Sequence, residues 1–133
     1  MNNPNLVISS PTINDVKRLS AFCNTTFYDT YHSYNTAKNM EAYMKENFNV
    51  DKIKQELTDN YTHFFIASVN NELVAYAKLK KVNMPSEYAH EQDIEIERIY
   101  VKKEHKGLKI GSLLMQHSID YAKSINCDAR ATA

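Results

Sequence analysis

Apolar and polar positions along the chain change period several times, and each change marks an element. Leu6-Val7-Ile8 is a short apolar run that reads as a first strand. Ser10-Pro11-Thr12 then leads into Ile13, Val16, Leu19, Cys23 and Phe27, whose steps of three or four predict a helix lasting to about Tyr31. Thr12 can cap that helix, with Asp15 three residues on as a variant of the capping box. Asn35 or Thr36 can cap a second helix carrying Met40, Tyr43, Met44 and Phe48 on one face, and Asn49 a third, short one through Ile53 and Leu57. Phe64 to Val69 is a nearly continuous apolar strand. Asn70-Asn71 then suits a type I′ hairpin turn, because asparagine tolerates the positive φ the turn needs. Leu73 to Leu79 returns as the antiparallel partner, and the polar loop Met84 to His90 precedes a core strand with Ile94, Ile96, Ile99 and Val101 read as alternation. Ile110, Leu114, Ser118, Tyr121 and Ile125 close the pattern at helical spacing. The order strand, helices, three strands, helix is α+β, with helices laid on a mostly antiparallel central sheet.

The junction between the last strand and the last helix holds the chain's two glycines, Gly107 and Gly111. Glycine suits positions where φ is positive or where something approaches the backbone closely. A helix start offers unpaired N–H groups and the positive end of a dipole, a ready site for an anion. Lys102, Lys103, His105, Lys106 and Lys109 surround that point, so the junction reads as a phosphate cradle. A plain chain turn and a solvated lysine loop fit the same residues. A P-loop does not, since the glycine spacing is one residue short and Ser112 follows Gly111 with no lysine between.

Composition narrows the classes. Sixteen basic and sixteen acidic residues give a formal net charge of zero, which implies neither a nucleic-acid partner nor a membrane surface. No apolar run approaches a membrane span, and the opening MNNPNLVISS lacks the anatomy of a signal peptide. Cys23 and Cys127 are far apart and match no redox or metal spacing, which suits a cytoplasmic protein. The five histidines show no paired-ligand spacing either, so no metal is expected. A hydrophobic content of 43% suffices for a single core, and one domain spanning residues 1–133 is expected.

The stretch ERIYV followed by KGLKIGSLL resembles motif A of the Gcn5-related N-acetyltransferase (GNAT) superfamily, whose loop usually reads Arg/Gln-x-x-Gly-x-Gly/Ala. Lys106 takes the Arg/Gln place, Lys109 that of the first glycine and Gly111 that of the closing glycine. The N-terminal half, TFYDTYHSYNTAKNMEAYMKENFNVDKIKQEL with FFIASVNNELVAYAKLK, is similar to the PaiA-type spermidine/spermine N-acetyltransferases. That resemblance implies the acyl-CoA N-acyltransferase fold, acetyl-CoA as cosubstrate and acetyl transfer to a primary amine such as spermidine or spermine.

The same resemblance assigns residues. Backbone groups of Ile99, Tyr100 and Val101 are expected to pair with the pantetheine arm, and amides from Lys106 through Gly107, Leu108, Lys109, Ile110, Gly111 and Ser112 to take the pyrophosphate. Glu97 on the core strand is the expected base, acting directly or through water. Apart from the resemblance, Glu95 on the same face makes a carboxylate pair with Glu97 that suits a polycationic substrate, and an exposed strand face solvated by charge fits the same residues. Tyr28 and Asp29, from a helix end rich in threonine and tyrosine that fits either a polar pocket wall or a half-exposed terminus, and Glu41 of the second helix are weaker substrate candidates. Measured against the family fold, the chain reads as shortened: the stretch Cys127 to Ala133 has little strand character, and no residue matches the family's general acid. Two expectations follow, a homodimer covering the bare strand Asp93 to Lys102, and, as the alternative function, an acetyl-CoA-binding or oligomerising module without catalysis.

Overall fold

A computed structural model describes residues 5–83, 92–107, 109–125 and 128–131. The expected loop Met84 to His90, Leu108, Cys127 and Thr132 lie outside the described residues. The chain forms two compact units, Pro11–Asp59 and Met1–Ser10 with Asn60–Ala133.

The first unit is helical: α1 (Val16–Tyr31), α2 (Ala37–Asn47) and α3 (Val50–Thr58). Its helix starts follow the expected caps. The Thr12 N–H donates to Asp15 Oδ2 at 2.8 Å ahead of α1, Asn39 N–H donates to Thr36 Oγ1 at 3.1 Å, and Lys52 N–H donates to Asn49 Oδ1 at 2.8 Å. Such caps contribute about 1 kcal/mol each. Leu19, Cys23, Met40, Phe48 and Ile53 are buried, and Phe27 stacks on Tyr43 with ring centroids 4.5 Å apart. Ser20 Oγ and Asn24 Nδ2 both donate to the Phe48 carbonyl, satisfying a polar group where α2 ends. In the threonine-rich end of α1, the Thr26 and Thr30 hydroxyls donate back to the carbonyls of Phe22 and Thr26 at 2.9 and 2.7 Å. Those two hydroxyls donate to their own helix, and their oxygens keep lone pairs that can accept.

The second unit is a five-stranded sheet in the order β1 (Leu6–Ser9), β2 (Thr62–Val69), β3 (Glu72–Asn83), β4 (Gln92–Val101), β5 (Asp128–Ala131), with α4 (Ile110–Ser124) between β4 and β5. The first four strands are antiparallel. Asn70 and Asn71 take φ of 51° and 67°, as the type I′ turn between β2 and β3 requires. One face of the sheet packs on α4, where Ile110, Leu114 and Ala122 meet Phe65, Ala75, Ala77, Leu79, Ile94 and Ile96.

Two expectations are corrected. The stretch after α4 does form a strand: β5 runs parallel to β4, Asp93 opposite Asp128 through Ile96 opposite Ala131. A parallel neighbour needs a long crossover, and the fifteen residues of α4 supply it, so topology overrides the weak strand propensity of Asp-Ala-Arg-Ala. The edge of β4 is therefore not bare from Asp93 to Lys102. Among the described residues of β4, Gln92 and Glu97–Val101 have no strand on that side, and the surface on which self-association was expected shrinks accordingly. The second correction concerns alternation within β4. Lys78 lies opposite Arg98 and Leu79 opposite Ile96, so Glu97 is an extra residue, a β-bulge. No helix of the described residues is long and apolar enough to cross a membrane.

A histidine ties β2 to α4. His63 stacks on Tyr121 with centroids 4.5 Å apart, and Ser10 Oγ lies 3.0 Å from its Nε2. Burial, then Lys81 and His117, hold its pKa below the ordinary 6.5. The folded protein thus binds fewer protons here than the unfolded chain, so this contribution is complete above 6.5 and is lost as pH falls below it. We expect the melting temperature to drop between about pH 7.5 and about pH 5.5, and the drop to shrink in His63→Gln. Identical pH dependence of the two proteins in calorimetry would remove His63 as its source.

Candidate functional site

After β4 the chain makes a tight descent to α4. Lys102 N–H donates to the Val74 carbonyl at 2.7 Å, and Lys103–His105 form a 3-10 turn closed by His105 N–H on the Lys102 carbonyl at 2.8 Å. Gly107 follows with φ of 89°, and Lys109 takes φ of 62° as the residue before the helix. Both are left-handed positions; the glycine adopts its own without strain and the lysine does not. Ile110, 2% exposed, pins the start of α4 in the core. The first helical bond runs from Leu113 N–H to the Lys109 carbonyl at 3.0 Å. No side chain caps this terminus. The amides of Ile110, Gly111 and Ser112 are those that a helix start leaves without intrahelical partners.

Gly111 is not held by backbone conformation, since its φ is not positive. A Cβ there would meet Val101 Cγ2 at 3.6 Å, an ordinary contact, so the fold itself does not require glycine. Lys103, Lys106 and Lys109 are exposed around it. Lys102, counted with them from the sequence, is instead engaged by Glu72 at 2.7 Å. His105 has its Nδ1 enclosed with no hydrogen-bond partner among the described residues. Uncapped amides, two left-handed residues, a missing Cβ and three exposed ammonium groups fit a pyrophosphate. Leu108 of the expected set lies outside the described residues.

Beside this loop, Ile99, Tyr100 and Val101 pair with Ala77, Tyr76 and Ala75 on one side of β4. Among the described residues no strand pairs with their other side, and an extended ligand arm can use such an edge. The bulge sets what faces the opposite side of the sheet from α4. Ile94 and Ile96 before it and Ile99 and Val101 after it all join the α4 core, so Glu95, Glu97, Arg98 and Tyr100 share the other face with Tyr76, Lys78 and Lys80.

Glu97 is not alone there. Its Oε2 lies 2.9 Å from Lys78 Nζ. Burial raises the Glu97 carboxyl's pKa, but Lys78 first, then Arg98 and Lys80, more than reverse this and leave it below the usual carboxylate value. Arg98 sits over the Tyr76 ring, 5.9 Å from its centroid, and Tyr100 packs on the same ring at 5.7 Å. Glu95 stands opposite Lys80 in the register. The two carboxylates expected to draw a polycation are thus matched by three cations.

Lys78 is the residue the sequence reading missed. Its signal was present: a lone lysine in the apolar run Val74-Ala75-Tyr76-Ala77-Lys78-Leu79, in phase with Tyr76 and away from the core. Tyr28, Asp29 and Glu41 lie on α1 and α2 of the helical unit, all exposed, with Tyr28 stacked on His32 at 4.8 Å. Among the described residues no group of three or more histidine, cysteine, aspartate or glutamate side chains could hold a metal ion.

The left-handed Lys109 generates a test. A residue with a Cβ at such a φ costs about 1–2 kcal/mol relative to the right-handed form, and glycine removes that cost. Lys109→Gly should therefore unfold at higher denaturant concentration, by up to about 1 kcal/mol once the glycine's own entropy is counted. An equal or lower midpoint would show that the lysine makes compensating contacts.

Residues 24–133 match the acetyltransferase (GNAT) family. An uncharacterized N-acetyltransferase in the pepI 3′ region of Lactobacillus delbrueckii subsp. lactis is 30% identical over 96 residues, 71% of this chain and 56% of that protein. The chain thus spans little more than half the length of this curated relative. The PaiA N-acetyltransferase from Thermoplasma acidophilum, solved in complex with coenzyme A, gives a TM-score of 0.76 at 20% identity over 90% of this chain and 73% of that one. An aminoglycoside acetyltransferase from an uncultured soil metagenomic sample, meta-AAC0020 in complex with sisomicin, gives 0.74 at 15% identity over 97% and 78%. At those identities the likeness to the solved structures is one of fold. The matched span includes the whole strand–loop–helix unit from β4 to α4, and the chain belongs to the GNAT family of acetyltransferases.

Proposed function

We propose that this chain transfers an acetyl group from acetyl-CoA to a primary amine, with spermidine or spermine as the first substrates to try. The observation that carries the reading is the uncapped start of α4, with Gly107, Lys109 and Gly111, set beside the stretch Ile99–Val101 of β4, which among the described residues pairs with a strand on one side only. Amides of Ile110, Gly111 and Ser112, with the ammonium groups of Lys106 and Lys109, would hold the pyrophosphate. Ile99, Tyr100 and Val101 would pair with the pantetheine arm, and one of their N–H groups would take charge from the carbonyl oxygen as it turns anionic.

In the reaction the amine nitrogen bonds to the acetyl carbon, the carbon–sulfur bond breaks, and the thiolate takes up the proton that the nitrogen sheds. Before that, the incoming ammonium must lose one proton. Glu97 is the acceptor in this reading. With Oε2 engaged by Lys78, its Oε1 is the oxygen that reaches the ammonium, through a water. The polyamine assignment rests on the resemblance of the N-terminal half, and a cytoplasmic setting on the cysteine usage. Tyr28, Asp29 and Glu41 receive no part in the chemistry.

Calorimetric titration with CoA, dephospho-CoA and pantetheine tests the cradle. Both nucleotides should bind, and pantetheine should bind about a hundredfold more weakly, some 2.7 kcal/mol. Gly111→Ala should keep its stability, since the added methyl fits against Val101, yet weaken CoA about tenfold, some 1.4 kcal/mol. Pantetheine binding as well as CoA would defeat the cradle. Tight CoA binding with no turnover of spermidine, spermine or an aminoglycoside would favour the binding-module reading.

A further inference from the structure

We infer that Lys78 is the positioning residue for Glu97, fixing its carboxylate in one orientation on the face of the sheet opposite α4. The inference rests on the acetyltransferase reading for its functional meaning, and on geometry for its substance. In regular alternation Glu97 would face away from α4, and Arg98 would fall among the α4 core residues. The bulge removes that choice by setting Glu97 and Arg98 together opposite Lys78. A bulged residue has lost its ladder partner and with it part of what fixes its direction. Lys78 restores the constraint through a side-chain contact of 2.9 Å.

The burial of Lys78 argues for orientation rather than stability. Its side chain is 11% exposed, in a strand where Leu73–Leu79 are all buried. An ammonium there loses most of its hydration, and buried ion pairs seldom stabilise a fold more than apolar residues of the same size. A methionine would fill the same volume. What methionine cannot do is hold an anion and leave its second oxygen free for a substrate. The groups facing Glu97 beyond Lys78 are Arg98 and Lys80, both more loosely coupled to it. Lys78 is the one within direct contact.

The pair also limits what Glu97 can do. An anion kept ionised by its neighbours is a weak proton sink but a dependable acceptor at neutral pH. The acid limb of the rate profile should therefore lie low in the wild-type protein. Taking Lys78 away leaves burial as the largest influence on Glu97, and burial raises a carboxyl's pKa.

The test uses the full chain and four variants, Lys78→Met, Lys78→Arg, Glu97→Gln and the double Lys78→Met/Glu97→Gln. In Lys78→Met we expect kcat for the amine to fall at least tenfold with KM for acetyl-CoA unchanged, and the acid limb of kcat/KM to move to higher pH. Lys78→Arg, which keeps a cation, should restore most of the rate. The Glu97 carboxyl, followed by carbon-13 NMR, should titrate at higher pH in Lys78→Met than in wild type. Wild-type kcat and pH profile in Lys78→Met, or an unmoved Glu97 midpoint, would overturn the inference. Should Lys78→Met not fold, the double variant removes the stranded carboxylate; a double variant slower than Glu97→Gln alone would show that Lys78 acts elsewhere and would also overturn it. A wild-type protein that binds CoA but acetylates nothing would sink the acetyltransferase reading, while the NMR midpoint would still decide whether Lys78 governs Glu97.

Discussion

The one residue that β4 has in excess of β3 governs the arrangement around it. Ile94 and Ile96 pack toward α4 before the bulge, and Ile99 and Val101 after it. Were β4 to alternate strictly, the second pair would face away and α4 would meet Arg98 and Tyr100 instead. A period of two leaves no other way to keep both pairs on one face. The bulge thus serves the core and the site together. It keeps Val101 under Gly111 at the start of α4, and it keeps Arg98 beside Glu97 on the face where Lys78 waits. Burying apolar side chains such as Ile99 and Val101 contributes about 1.5–3 kcal/mol each when complete, which is enough to hold the bulge against the loss of one ladder pair.

The loop after β4 depends on that placement. Lys102 is tied to Val74 by its backbone and to Glu72 by its side chain, so the descent toward α4 begins from a fixed point. Few residues remain before Ile110 must be buried, and two of them adopt the left-handed conformation. Lysine at position 109 is costly there, yet its chemistry suits the place. Serine, aspartate or asparagine before a helix would accept from the free amides and occupy them. A lysine has no acceptor. It leaves the amides open and adds a positive charge where the helix dipole already favours an anion.

Much of this was readable from residues. The caps at Thr12, Thr36 and Asn49 form as their side chains suggest, because capping is a local matter of one oxygen and one amide. The Asn70-Asn71 turn follows from the same kind of local preference. The loop was legible because only two glycines exist and both stand there. Three features were not. The gap of three between Ile96 and Ile99 announces the bulge, but it passes for alternation unless every step is counted. β5 owes its strand to pairing with β4, and nothing within Asp-Ala-Arg-Ala announces that. Lys78 was hidden among apolar neighbours, and its partner lies on another strand, nineteen positions away in the chain.

The balance of charge on the face opposite α4 bears on how an amine is chosen. Glu95 and Glu97 would attract a polyamine if they stood by themselves. Lys80 stands opposite one of them, Lys78 is bound to the other, and Arg98 follows Glu97 on the same face, over the Tyr76 ring. The sum over the strip is one positive charge, and the sequence as a whole carries none. Long-range steering scales with the net field and fades within a Debye length of about 8 Å at physiological salt. A polycation is therefore not drawn to this face from a distance by its charge. Under the proposed acetyl transfer, discrimination would arise at contact, where a single oxygen on Glu97 would accept from an ammonium placed beside it. Such a site would rank amines by where their nitrogen can reach more than by how many charges they carry.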